Sequence, residues 1–159
     1  MREYKFRGKN KDIGWVYGQI AYDINGNAYI IQEVELDSSY GLEETILFVT
    51  MWYRVDKETV GQYTGLHDKN GKEIYEGDIV TGIDYPFIDE GKQNYVGIVV
   101  FYDDTASFGY EYQCVRKDKR GISNGINNEF EANENLVCED LEVIGNIYEN
   151  KELLNETDR

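Results

Sequence analysis

The chain has 159 residues and a formal net charge of −15, and 41% of its residues are hydrophobic and 30% charged. This length suits one domain, or one domain with a small appendage, and the composition excludes a membrane protein or a typical disordered chain. The longest apolar runs fall well short of the roughly 20 residues that span a bilayer, and the N-terminus lacks the apolar core of a secretory signal. We therefore expect a cytoplasmic protein that does not contact a membrane.

The negative charge is unevenly distributed along the chain. Residues 1–11 carry five basic residues and one acidic residue, a net charge of +4 (5 − 1), so the remainder carries −19 (−15 − 4). A polyanion is repelled by such a field, which disfavours nucleic acid as a general partner.

Aromatic and β-branched residues, with 16 glycines, predict strands joined by tight turns. Residues 14–22 and 28–34 read as two strands, and the intervening Asn25-Gly26 pair predicts a hairpin turn of type I′. Residues 37–44 are predicted to be a loop. The run at 46–53 is apolar at successive positions, which predicts a strand buried on both faces.

The central segment, residues 60–80, reads as strand, turn and strand. Asn70-Gly71 marks the turn. Gly77 would allow a bend, and the carboxylate of Asp78 could accept hydrogen bonds from backbone N–H groups at the corner where a chain enters a small barrel.

Further strands are predicted at residues 94–102, 107–115 and 141–148, with a long polar loop at 116–135. The second half thus supplies about five short strands, enough for a small SH3-like or OB-like barrel. The tail that follows could form a short helix. The predicted fold is mainly β, with an N-terminal hairpin or sheet over 1–60, a barrel domain over 61–150 and a charged tail over 151–159.

The sequence contains few motifs typical of catalytic, metal-binding or phosphate-binding sites. His67, the single histidine, is predicted to be a solvent-facing turn residue, because no Gly-x-Ser-x-Gly or comparable setting accompanies it. The segments that begin at Asp23 and Asp68 place glycine at the fourth position, where a calcium loop would require it at the sixth. Phosphate-loop patterns are also absent. We expect no enzymatic activity, no metal and no cofactor.

Four basic residues near the N-terminus fall at every second position, which places them on one face of a strand. Two interpretations stay open: a solvated edge strand protected by its charges, or a contact with an acidic surface of another subunit, a partner or nucleic acid. The candidate interaction strand consists of Lys5, Arg7, Lys9 and Lys11.

Cys114 and Cys138 are too few for a disulfide framework or a four-ligand zinc site. Buried thiols in a reducing compartment are the favoured interpretation, with one cross-strand disulfide as the alternative.

The central segment strongly resembles the signature of the YopX family of phage and prophage proteins. Residues 4–7 (Tyr-Lys-Phe-Arg) are similar to the opening of the family, and residues 141–150 (Leu-Glu-Val-Ile-Gly-Asn-Ile-Tyr-Glu-Asn) are similar to its close. Lys151 stands where the family has proline, and residues 21–50 match nothing in it. The matched signature residues are Gly61, Gln62, Tyr63, Thr64, Gly65, Leu66, Asp68, Gly71, Tyr75, Glu76, Gly77, Asp78 and Ile79.

The resemblance implies an SH3-like barrel and expression in the cytoplasm of a bacterial host, but it carries no activity and no catalytic residue. The signature residues are interpreted as structural. We expect a non-enzymatic binding or regulatory module that acts on a host or phage macromolecule, with an unidentified protein partner and room for a homo-oligomer. The alternatives are an acidic DNA mimic that inhibits a host nucleic-acid enzyme, and a barrel that binds nucleic acid through the basic N-terminal strand.

Overall fold

The computed structural model describes residues 3–37, 46–84, 93–113 and 141–154. Antiparallel strands dominate these residues, so the prediction of a mainly β fold is confirmed. The chain divides into two compact units, Met1–Tyr63 and Thr64–Arg159. The described elements are β1 (Phe6–Asn10), β2 (Gly14–Tyr22), β3 (Ala28–Asp37), β4 (Ile46–His67), β5 (Glu73–Tyr75), β6 (Asp78–Asp84), β7 (Gln93–Tyr102), β8 (Ser107–Gln113), β9 (Glu142–Asn146) and a 3-10 helix at Lys151–Leu154.

The first unit contains a sheet that returns to its own first strand. The hydrogen-bonded order of this sheet is β1-β2-β3-β4-β5, and β1 also pairs with β4; β1, β2 and β3 lie wholly in the first unit. The predicted hairpin is confirmed, because β2 and β3 pair from Gln19 opposite Ile31 to Tyr22 opposite Ala28. β1 has a neighbour on each side, so the interpretation of the N-terminal segment as an edge strand is wrong.

The hairpin turn between β2 and β3 is not of type I′. Gly26 is the only residue of residues 23–27 with a positive φ, of 76°, whereas type I′ requires two such residues. The longer turn is stabilised by Asp23, whose Oδ1 accepts hydrogen bonds from the backbone N–H groups of Asn25 and Asn27 at 2.9 and 2.8 Å. A side-chain acceptor thus replaces the tighter backbone geometry.

The core of the first unit lies on one side of the paired strands. Val16, Ala28, Ile30 and Val55 are buried there, and Phe6, Ile20, Tyr53 and Val60 pack against them. The pairs Ala28–Val55 and Ile30–Tyr53 lie directly opposite each other across β3 and β4. Paired residues of an antiparallel sheet share a face, which explains why these positions form one cluster.

The second unit contains an antiparallel sheet of order β8-β7-β6-β9. β7 lies between β6 and β8 and is therefore an internal strand. Ile74, Val80, Val99, Leu141 and Val143 form the core, with Leu66 and Tyr110 against it. The SH3-like barrel stays a prediction for this half.

The strand predicted at residues 46–53 exists as part of β4, but its predicted burial on both faces is wrong. Residues 47–52 are all exposed. β2 pairs with β3 only from Ala28 to Ile31, whereas β4 pairs with β3 as far as Asp37. Beyond Ile31, β3 and β4 therefore form a two-stranded ribbon that projects from the sheet. The two cysteines, the only proline and the predicted loop at 116–135 lie outside the described residues.

Candidate binding surfaces

The signature residues form the structural frame of the strand–turn–strand segment. Residues 61–66 belong to β4, Tyr75 ends β5, and Asp78 begins β6. Eight of the thirteen are buried, namely Gly61, Tyr63, Thr64, Asp68, Tyr75, Gly77, Asp78 and Ile79. Such burial indicates a role in holding backbone geometry.

Asp68 ties the turn after β4 to the strand β9. Its Oδ1 accepts hydrogen bonds from the N–H groups of Asn70 and Lys72, at 2.8 and 2.9 Å. Its Oδ2 accepts a hydrogen bond from Val143 N–H at 3.0 Å. Burial would raise the pKa of Asp68, but these N–H groups and the charge of Lys72 hold the pKa below its usual value. The carboxylate is therefore a structural anchor.

The carboxylate of Asp78 accepts a backbone hydrogen bond at the corner before β6, as expected. Its Oδ2 accepts a hydrogen bond from Tyr75 N–H at 2.8 Å, and the residue is 1% exposed. Gly77 has a φ of 79°, a conformation that L side chains rarely adopt. The same glycine donates its N–H to Val99 O and accepts a bond from Ile147 N–H, both at 2.9 Å. This corner joins β6 to β7 and to the chain after β9.

The predicted interaction strand is divided by the structure. Arg7 is buried, 5% exposed, and its guanidinium carbon lies 4.8 Å from the Trp15 ring. Lys5 lies before β1, with its ammonium 6.0 Å from the Tyr17 ring. Lys9 and Lys11 lie at and beyond the end of β1, and the four basic residues do not form one exposed face.

Lys9 and Lys11 instead line a groove with two basic residues that sequence reasoning did not single out. Arg54 and Lys57, from β4, complete a set of four cations around a cavity of about 610 Å³. Asp56 contributes a carboxylate to the same lining. The pattern was not visible in the sequence, because the two pairs of cations are separated by more than 40 positions and meet only through β1–β4 pairing.

The largest set of exposed apolar side chains lies on the ribbon, which is formed by residues 33–37 of β3 and 46–51 of β4. Val34 pairs with Val49, and Leu36 pairs with Leu47. These four residues are 49%, 43%, 70% and 58% exposed in that order. Because paired residues share a face, they form one continuous surface, called here the aliphatic face.

The aliphatic face continues the core side of the sheet. Ile30, fully buried, pairs with Tyr53, and alternate residues of β4 beyond Tyr53 point to the same side. That side therefore carries Met51, Val49 and Leu47 in the ribbon, where the described residues leave it exposed. The two register shifts between Ile31 and Val34 cancel, so Val34 and Leu36 stay on the same face as Ile30.

The single histidine of the chain lies in the described ranges. His67 is exposed, as predicted, but it is the last residue of strand β4 and not a turn residue. Within those ranges, no group of three or more His, Cys, Asp or Glu side chains is arranged to hold a metal ion. No helix among the same residues is long and apolar enough to cross a membrane.

Comparisons with known proteins agree with the sequence resemblance. A family model described as YopX protein matches residues 5–155. The crystal structure of protein EF1440 from Enterococcus faecalis is similar in fold, with a TM-score of 0.55 and 24% sequence identity over 97% of this chain and 99% of that one. No curated protein matches the chain.

Proposed function

The chain belongs to the YopX family, and we propose that it is a non-enzymatic module that binds another protein through the aliphatic face of its ribbon. The observation that supports this most directly is the exposure of four paired aliphatic residues, Val34, Leu36, Leu47 and Val49. Soluble proteins rarely expose contiguous apolar patches unless these contact a partner.

The charge of the ribbon indicates the chemistry of that partner. The ribbon residues, 33–37 and 46–51, include three acidic residues, Glu33, Glu35 and Asp37, and no basic residue. A partner that presents an apolar patch rimmed by Lys and Arg would match both properties. A second copy of the chain would bring two sets of three carboxylates together, which like-charge repulsion opposes.

Replacing the four residues of the aliphatic face by threonine tests the proposal. Threonine keeps the β propensity of the ribbon and removes most of its apolar surface. Each replacement should remove roughly 1 kcal/mol of binding free energy, so the fourfold variant should bind at least about 100-fold more weakly. The matched control replaces Ile13 and Ile24 by threonine, since both are exposed apolar residues of the same unit outside the ribbon.

The experiment captures proteins from a bacterial lysate with all three forms and then measures binding of the purified partner by calorimetry. A directly bound, unmodified partner that is lost only with the ribbon variant, and held less tightly as salt increases, supports the proposal. Equal binding by the ribbon variant contradicts it, as does chemical conversion of the partner. If sedimentation shows a wild-type dimer that the ribbon variant abolishes, the aliphatic face is a homodimer contact instead.

A further inference from the structure

A basic groove at one end of the first unit is the feature that carries a further inference, and this inference is independent of the ribbon. Lys9, Lys11, Arg54 and Lys57 line it together with Asp56, so these side chains carry a net charge of +3 (4 − 1). The whole chain carries −15. The cavity of about 610 Å³ falls within the size range of small-ligand sites. The groove thus concentrates cations in an otherwise acidic protein.

A bulge in β4 places Lys57 at the groove. Arg7 pairs with Gly61 and Lys9 with Asp56, so two steps along β1 oppose five along β4. Thr59 fixes the bulge, because its Oγ1 accepts a hydrogen bond from Lys9 N–H at 2.8 Å and donates one to Asp56 O at 2.6 Å. Bulges commonly re-aim side chains beside functional sites.

Arg54 is held in place by neutral groups. Its Nη2 donates to Asn27 Oδ1 at 2.6 Å, and its carbonyl oxygen accepts a hydrogen bond from Asn10 Nδ2 at 2.8 Å. Asn27 is itself anchored, since its Nδ2 donates to Asp23 Oδ2 at 2.7 Å. Contacts with amides orient the arginine without cancelling its charge, so the cation stays available to an anion.

We propose that this groove binds a short chain of linked phosphates, as found in inorganic triphosphate or in the triphosphate tail of a nucleotide. A planar guanidinium matches phosphate oxygens, and the three lysines supply point charges for the rest of the chain. Lys11 and Lys57 also pair with Asp12 and Glu58, at 4.0 and 3.6 Å, but these ion pairs are exposed to solvent and weak, so linked phosphates can compete with the carboxylates. Linked phosphates present several negative charges within the length of the groove. A long nucleic acid would also have to cross the acidic surface of the molecule, which repels it.

Calorimetric titration of the full chain at low ionic strength tests this inference. The probes are inorganic triphosphate, a nucleoside triphosphate, orthophosphate, citrate and a short single-stranded oligonucleotide. The variants are Arg54→Gln and Lys57→Gln, and the control is Lys151→Gln, an exposed cation of the other unit. We expect a Kd for triphosphate of about 1 mM or tighter. Each groove variant should weaken binding about tenfold, and the control should change it less than about twofold.

The probes separate the sources of the phosphate chain and decide the inference. Equal binding of the inorganic and nucleoside triphosphates would show that the phosphate chain alone is recognised, and tighter binding of the nucleoside form would show that Ala28 and Val55 add an apolar contact. Either result supports the groove as a phosphate site. Triphosphate binding no tighter than that of orthophosphate or citrate would overturn it, as would unchanged binding in both groove variants. Preferential binding of the oligonucleotide would replace it with a nucleic-acid site.

Discussion

Asp23 and Asp68 form the same local turn but contribute differently to the fold. Asp23 and Asp68 each begin an Asp-x-Asn-Gly turn, and each Oδ1 accepts hydrogen bonds from the N–H groups two and four residues later. The second oxygen of Asp23 stays local, bonded to Asn27 and Tyr29. The second oxygen of Asp68 reaches Val143, 75 positions away. Only Asp68 therefore joins distant strands.

Replacing Asp68 by asparagine should destabilise the protein by about 2–3 kcal/mol, because an amide nitrogen would face a buried N–H group and leave it without an acceptor. Chemical denaturation at pH 7 measures this loss. The control is Asp23→Asn, which should cost less because its bonds lie within one partly exposed turn and join no distant strand. A larger loss for the control would contradict the role assigned to Asp68.

The same variant predicts a pH dependence. The pKa of Asp68 is lowered in the folded state, so its stabilising contribution is fully present above the unfolded pKa, which is about 4, and declines as pH falls through the folded pKa. The difference in unfolding free energy between wild type and Asp68→Asn should therefore shrink below about pH 4. A difference that stays constant down to pH 2 would show that the ionised carboxylate is not the stabilising form.

At the scale of elements, the two turns of the signature segment depend on glycine for different reasons. Gly71 has a φ of 82° and open space around its Cα, so only the backbone conformation favours glycine there. Gly77 has a φ of 79°, and an added Cβ would lie 3.1 Å from Cε2 of Tyr148. The corner before β6 is thus restricted both by its conformation and by packing.

Gly71→Ala should lower the free energy of unfolding by about 1 kcal/mol, from backbone strain alone. Gly77→Ala should lower it further, by about 2 kcal/mol, because the new methyl group also displaces the Tyr148 ring. Each variant serves as the comparison for the other in denaturant titrations. Equal losses would mean that the tyrosine ring moves aside without cost.

At the scale of the whole molecule, charge and cores are divided between the two units. Residues 1–63 carry seven basic and ten acidic residues, a net charge of −3, and residues 64–159 carry nine and twenty-one, a net charge of −12. Each unit has its own buried cluster, around Ile30 in the first and around Val99 in the second. The surfaces proposed for binding, the ribbon and the groove, both lie in the less acidic unit.

Separate cores predict separate local stabilities. Ile30→Ala and Val99→Ala each remove a fully buried side chain, and each should cost about 2–4 kcal/mol. Hydrogen exchange should show lost protection mainly in β1–β3 for the first variant and mainly in β6–β8 for the second. An equal loss of protection across both units in either variant would show that they unfold as one cooperative body.

The sequence alone determined the features that depend on neighbouring residues in the chain. The positions of the two turns, the Gly77-Asp78 corner, the β2–β3 hairpin and the mainly β fold could be predicted, because turn residues act within a few positions of the chain. The type of the first turn could not, because Asp23 stabilises a longer turn than the predicted type I′. The family resemblance was carried by those same local patterns.

Only the tertiary structure decided which predicted strands are exposed and which charged residues lie together. The apolar run at 46–53 could not be distinguished from a buried strand, because burial depends on whether other strands cover it, and β3 is its only described neighbour. Likewise, Lys9 and Lys11 became half of a groove only when a bulged pairing brought Arg54 and Lys57 beside them. Local chemistry fixes the turns, whereas exposure and charge clustering arise from contacts between residues far apart in the chain.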